Sequence, residues 1–207
     1  MQLQAQPTLH ADADTSVAAL AEQFALSGAP LVLKTDNGSP FIAEDFRKLL
    51  DDWGVILLLS PAWTPRYNGS VEARMGSLKT GTFYQAVQNG HGSHWTSDDI
   101  DAAREQANHT LRPWGTLGPT PLERWQSRPP ITIEQRQEFR QAAVDARRAV
   151  MAANGLGDEP LEQLSRALRA SLAREGIRRA LESLGYLVVR RRRISPPINS
   201  PLRDKIR

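Results

Sequence analysis

The chain of 207 residues contains no cysteine. That absence excludes both a disulfide framework and a metal site built on thiolates. Long apolar runs are also absent: no stretch approaches the roughly 18 residues of a membrane span, and no signal-peptide pattern opens the chain. The expectation is a cytoplasmic protein with no membrane partner. Net charge is low, +3 in all, but it is unevenly placed. Residues 1–130 hold 10 Lys/Arg against 14 Asp/Glu, whereas residues 131–207 hold 16 against 9. An acidic front and a basic tail suggest that the tail meets nucleic acid, although a basic tail is equally often a solvated helix surface.

Residues 1–10 alternate loosely, like the stub of a strand. "DADTSVAALAEQFALSGAP" predicts a helix capped by Asp14 or Thr15, with Val17, Leu20, Ala21 and Phe24 on its apolar face and Gly28 and Pro30 at its end. "PLVLKTD" predicts a buried strand, and Asn37-Gly38 turns the chain immediately after it. "AEDFRKLLDDWG" predicts a second helix, and "VILLLS" a strand buried on both faces. Helix, strand, helix, strand means α/β with parallel pairing.

"PAWTPRYNGS" is a loop by composition. "SVEARMGSLKTGTFYQAV" predicts a helix with Val71, Met75, Leu78 and Phe83 toward the core, weakened by Gly76 and Gly81. Another helix follows over "TSDDIDAAREQANHTL", capped by Thr96 or Ser97, and then a Pro-rich exit. The front unit is expected to span 1–130 and the basic helical tail 131–207. The tail predicts a helix over 132–153, a helix capped by Asp158, a second one over "REGIRRALESLG", and a strand over "YLVVRRRRI".

Two carboxylates stand out. Asp36 lies where its strand should end, and Glu72 lies in the first turn of a helix. Each has a plain local role, Asp36 as a turn former and Glu72 as a partner for the helix dipole. Thirty-five residues separate them, comprising one helix, one strand and one loop. A right-handed connection of that kind returns the chain to the same sheet edge, so both side chains can face one cleft. Paired carboxylates suit a hard cation, Mg2+ or Mn2+, of the kind used in phosphoryl chemistry.

"LVLKTDNGSPF", "SPAWTPRYNGSVEARMGSLK" and "ANHTLRPWGTLGPTPLERW" together resemble the integrase-type catalytic core of DDE transposases, over roughly residues 15–128. Trp114 stands where that family has a histidine after "RP". The resemblance implies an α/β fold, a partial ribonuclease-H-like core followed by a mostly α-helical C-terminal region. It implies DNA strand transfer, with transposon ends and target duplex as partners. Asp36 and Glu72 would be catalytic metal ligands for Mg2+ or Mn2+. Lys79, seven residues past Glu72 and on the same helix face, would meet DNA, with a solvated surface lysine as its plainer role. Asn68 and Gly69 would shape the loop before Glu72, and Arg66, Asn68 and Tyr67 are candidate DNA contacts.

The family's first aspartate, from a strand upstream of Asp36, has no counterpart. Asp12 and Asp14 are the only earlier aspartates, and they lie in a polar helix-entry segment. The resemblance therefore predicts a chain truncated at its amino end and inactive alone. It also predicts an open apolar edge on "LVLKTD" and a need for either a second copy or the missing N-terminal segment. An alternative is a non-catalytic DNA-binding or regulatory fragment acting through a winged-helix-like tail. There Arg178, Arg179, Arg190, Arg191, Arg192 and Arg193 would contact phosphates.

Overall fold

The chain opens its regular structure with α1 (Ala13–Ser27), which leads through Gly28 into β1 (Val32–Thr35). The short α2 (Ser39–Ile42) and the longer α3 (Glu44–Asp52) follow, and Gly54, at φ 66°, turns the chain into β2 (Ile56–Leu59). The strands pair in parallel, Val32 opposite Ile56 and Thr35 opposite Leu59. A crossover is what parallel pairing requires, and it is the helix–strand alternation expected from the sequence. In this computed structural model residues 1–8, 12–61, 64–157 and 160–189 are described, with the backbone alone at Pro65 and Arg66. Among the described residues β1 and β2 are the only strands, so each has one edge without a strand neighbour.

Helices pack on both faces of the pair, but the four residues of β2 are only partly buried, short of the full burial that the apolar run predicts. On one face Leu33 and Leu57 pack with Phe24, Phe46, Leu50 and Val55, from α1, α3 and the residue before β2. On the other, Val32, Ile56 and Leu58 pack with Phe139, Ala143, Ile177 and Ala180. Those last four belong to α7 (Ile133–Ala153) and α8 (Arg166–Ser183). The basic C-terminal helices thus share a core with the strands. Arg136 of α7 reinforces this by donating to Pro30 O at 2.8 Å and to Ala29 O.

Between the sheet and α7 come α4 (Gly69–Gln88), α5 (Ser97–Thr110) and α6 (Pro121–Gln126). α4 and α5 pack on each other through Leu78, Thr82 and Ala86 on one side and Ala103 on the other. A capping box fixes the start of α5, with Thr96 and Asp99 bonding each other's backbone N–H groups. Burial opposes the Asp99 charge. Bonds from the Thr96 N–H, the Thr96 hydroxyl and Asn89, with His91 beside them, outweigh it and hold the carboxyl below its usual range.

Several expectations need correction. The cap of α1 is Asp12, whose Oδ1 accepts from Thr15 N–H at 2.8 Å, rather than Asp14 or Thr15. Capping accounts for Asp12 as an entry residue. Residues 1–8 form no strand; instead the Asn108 side-chain amide accepts from Gln2 N–H and donates to Gln2 O. Val71, Met75 and Phe83 are not in the core but 54%, 48% and 45% exposed; the buried residues of α4 are Leu78, Thr82 and Ala86, an i, i+4 stripe that Phe83 does not share. The two helices expected after Asp158 are one, α8, capped by Ser165. Gly176 does not break it, because Gly176 is where α8 crosses α7. A Cβ there would lie 3.0 Å from Ala143 O and from Arg147 Cβ. Tyr186–Val189 carry no strand. Asp158 and residues 190–207 lie outside the described residues. Among those described, no helix is long and apolar enough to cross a membrane.

Two of the mid-helix glycines, Gly76 and Gly176, provide a test. Nothing lies within 4 Å of a Cβ added at Gly76. Gly76→Ala should therefore stabilise the chain by up to about 1 kcal/mol through helix propensity. Gly176→Ala should instead destabilise it, by about 1–3 kcal/mol, because backbone at the crossing must move. Denaturant unfolding of both variants measures the two signs.

Candidate metal and nucleic-acid site

The sequence after β2 enters a 3₁₀ turn, Pro65–Asn68, and then α4. Asp36 follows the last residue of β1, and Glu72 sits in the first turn of α4, so the site depends on how that turn is tied to the strand ends. Ser60 makes one tie. It is buried, its N–H donates to Thr35 O at 2.9 Å, and its carbonyl accepts from Asn37 Nδ2 at 2.8 Å. Its hydroxyl lies 2.9 Å from Thr35 O and 2.8 Å from Asn68 Oδ1. A hydroxyl has a single proton, so it donates to one of these at a time. The Asn68 amide, turned end for end, would donate back to it. Lys34 makes the other tie, with Nζ 2.5 Å from Tyr67 O and 4.0 Å from the centre of the Tyr67 ring.

Asp36 and Glu72 are both exposed. Asp36 Oδ1 accepts from Gly38 N–H at 2.8 Å, closing the turn that Asn37-Gly38 predicted. Each carboxylate lies within one helical turn or one residue of a group bonded through Ser60. Their donor set is oxygen alone, which fits a hard divalent cation. Among the described residues, however, no group of three His, Cys, Asp or Glu is placed to hold a metal ion. The site offers two acidic residues rather than three.

The other candidates are dispersed. Asn68 is part of the Ser60 tie, so it shapes the entry to α4 directly. Lys79 is exposed on α4, two turns beyond Glu72, and lines a cavity of about 510 Å3 with Val71, Met75 and residues of the amino-terminal segment. The Arg66 side chain is not described, and Arg190 to Arg193 lie outside the described residues. Arg178 and Arg179 are exposed on α8, whose main packing partners are α7 and β2. Both arginines are engaged in ion pairs. Arg178 binds Glu175 at 2.5 Å and Glu182 at 2.7 Å, and Arg179 binds Glu175 at 2.9 Å. These bonds, that of Arg178 first, pull the Glu175 carboxyl down to about 2. Sequence reasoning missed Ser60 and Lys34. The only local signals were a polar residue closing an apolar run and a charge interrupting another.

Among solved structures, the chain is similar to one in the simian T-cell lymphotropic virus intasome in complex with the PP2A regulatory subunit B56 gamma. The TM-score is 0.52 and the identity 20%, over 60% of this chain and 45% of that one. It also matches the HTLV-2 integrase catalytic core domain in complex with magnesium. The dimeric form gives a TM-score of 0.45 and 18% identity, over 55% of this chain and 69% of that one. The trimeric form gives 0.44 and 21%, over 56% and 68%. The chain thus spans less than half the length of the intasome chain it matches. Over the matched stretch the fold is similar to that of the intasome chain. No family model matches the sequence, and no curated protein sequence does.

Ser60→Ala removes a hydroxyl from a buried polar site and leaves the Asn68 amide without its partner. The expected cost is about 1–3 kcal/mol in denaturant unfolding. The ion cluster on α8 yields a pH signature. The Glu175 pKa is lowered on folding from the usual 4.5 to about 2. Its stabilisation is therefore complete above the unfolded value and lost as pH falls through the folded one. Acid unfolding curves should show wild type losing stability between those values more steeply than Glu175→Gln.

Proposed function

We propose that the chain carries the second half of a DDE-type polynucleotidyl transferase centre, acting in DNA integration or transposition. Asp36 and Glu72 are its acidic ligands for Mg2+ or Mn2+. The observation that carries this reading is the Ser60 tie, which links the end of β1, beside Asp36, to the entry of the helix bearing Glu72. The integrase-like fold and the ordered sequence motifs support it. The substrates are the transposon ends and the target duplex.

In this reading the chain's own groups divide the work. Asp36 and Glu72 present oxygen donors from a strand end and a helix start. Lys79 offers a positive charge to a DNA phosphate two turns along the same face. Arg190 to Arg193, and Arg178 and Arg179 where their glutamate pairs yield, add backbone contacts that locate the duplex without reading its sequence. A bound divalent ion supplies a more acidic nucleophile and charge stabilisation at the phosphate. Two carboxylates hold such an ion but do not fix a pair in register, so completion falls to a further acidic group from a second copy or another segment.

Three measurements test this. Mn2+ titration followed by water-proton relaxation should show binding that weakens at least about tenfold in Asp36→Asn and in Glu72→Gln. Plasmid nicking assays should show that the 207-residue chain does not cut supercoiled DNA with either metal. Nicking that disappears in Glu72→Gln would show that the chain completes its own site. Duplex DNA should bind with steep salt dependence; salt-insensitive binding would remove the tail from the interface.

A further inference from the structure

We infer that Lys34 is a positioning residue for this site: its ammonium clamps Tyr67 and thereby sets the angle at which α4 presents Glu72 to Asp36. The inference rests on the metal-site reading for its purpose, but its geometry stands apart from it. An exposed lysine on a strand is ordinarily solvated. Lys34 instead makes two contacts to one residue 33 positions away, a hydrogen bond to the Tyr67 carbonyl and a cation–π contact to its ring. Ring and carbonyl of one residue, held by one ammonium, restrict both the position and the rotation of the turn.

The Ser60 tie alone would not do this. It joins Thr35 to Asn68, a single line of attachment about which the turn can pivot. The Lys34 tie joins the neighbouring pair, Lys34 to Tyr67. Two ties, at adjacent residues of the strand and adjacent residues of the turn, remove the pivot. Glu72 lies one helical turn beyond Asn68, so a tilt of about 10° there moves it by roughly 1 Å. A displacement of that size is enough to degrade a catalytic or metal-ligand geometry.

Electrostatics gives the opposite expectation, which makes the inference decidable. If Lys34 acted only as a nearby positive charge, removing it would strengthen cation binding at Asp36 and Glu72. If Lys34 holds the helix, removing it weakens binding despite the lost repulsion.

The absence of cysteine makes the test clean. Spin labels on Ser39→Cys and Ala73→Cys, both exposed sites, report the distance between the turn after Asp36 and the start of α4. Dipolar EPR should give a narrow distribution for the labelled chain and a broad one for Lys34→Met. Lys34→Arg, which keeps the donor and the stacking cation, should restore the narrow one. Tyr67→Leu, which removes the ring but keeps the backbone carbonyl, should broaden it less, and the double variant no further than Lys34→Met. Mn2+ affinity should fall about tenfold in Lys34→Met. An unchanged distribution in Lys34→Met, or tighter Mn2+ binding by it, overturns the inference. If the unmodified chain binds no Mn2+ through Asp36 and Glu72, the metal reading fails, and the label distances by themselves uphold or reject the clamp.

Discussion

A single buried hydroxyl residue connects the parts of this molecule that bear on chemistry. Ser60 closes β2, bonds Thr35 at the end of β1, receives Asn37 from the turn after Asp36, and reaches Asn68 at the entry of α4. Its position is costly unless every polar group is matched, and the matching partners come from the segments that carry the candidate ligands. The residue at the end of an apolar strand is therefore a junction rather than a terminus.

That junction depends on the strand pair being held rigid, and burial on both faces does this. The second face is covered by α7 and α8, from the basic half of the chain. Helices from the basic half of the chain are thus structural cover for the sheet. Arg136 illustrates the overlap, since its guanidinium is directed to the Ala29 and Pro30 carbonyls before β1. Arg178 and Arg179 show another form of it, being bound within α8 by Glu175 and Glu182.

α4 is treated differently along its length. Its middle and C-terminal part buries Leu78, Thr82 and Ala86, while its first turns leave Val71 and Met75 open beside Glu72. The helix is thus anchored by packing at one end and by the turn Pro65–Asn68 at the other. Its start, unsupported by a core, relies on the two ties from β1 and β2, which is why hydrogen bonds and one cation–π contact carry such weight there.

Much of this was legible in the sequence. The parallel strand pair, the Asn37-Gly38 turn, the extent of α4, α5 and α7, and the thirty-five-residue interval between Asp36 and Glu72 all follow from local signals: apolar runs, turn residues, caps and spacing. Tertiary structure decided which neighbour meets each face. Periodicity places Val71 and Met75 on the same stripe as Leu78, but the fold leaves them about half exposed. The tight crossing at Gly176 of α8 is visible only when Ala143 and Arg147 of α7 are found against it. Lys34 reads as a surface charge until the turn brings Tyr67 beneath it. Helix and strand periods are properties of a few consecutive residues, so sequence alone determines them. Contacts between residues tens of positions apart depend on strand register and helix crossing, which only the folded chain establishes.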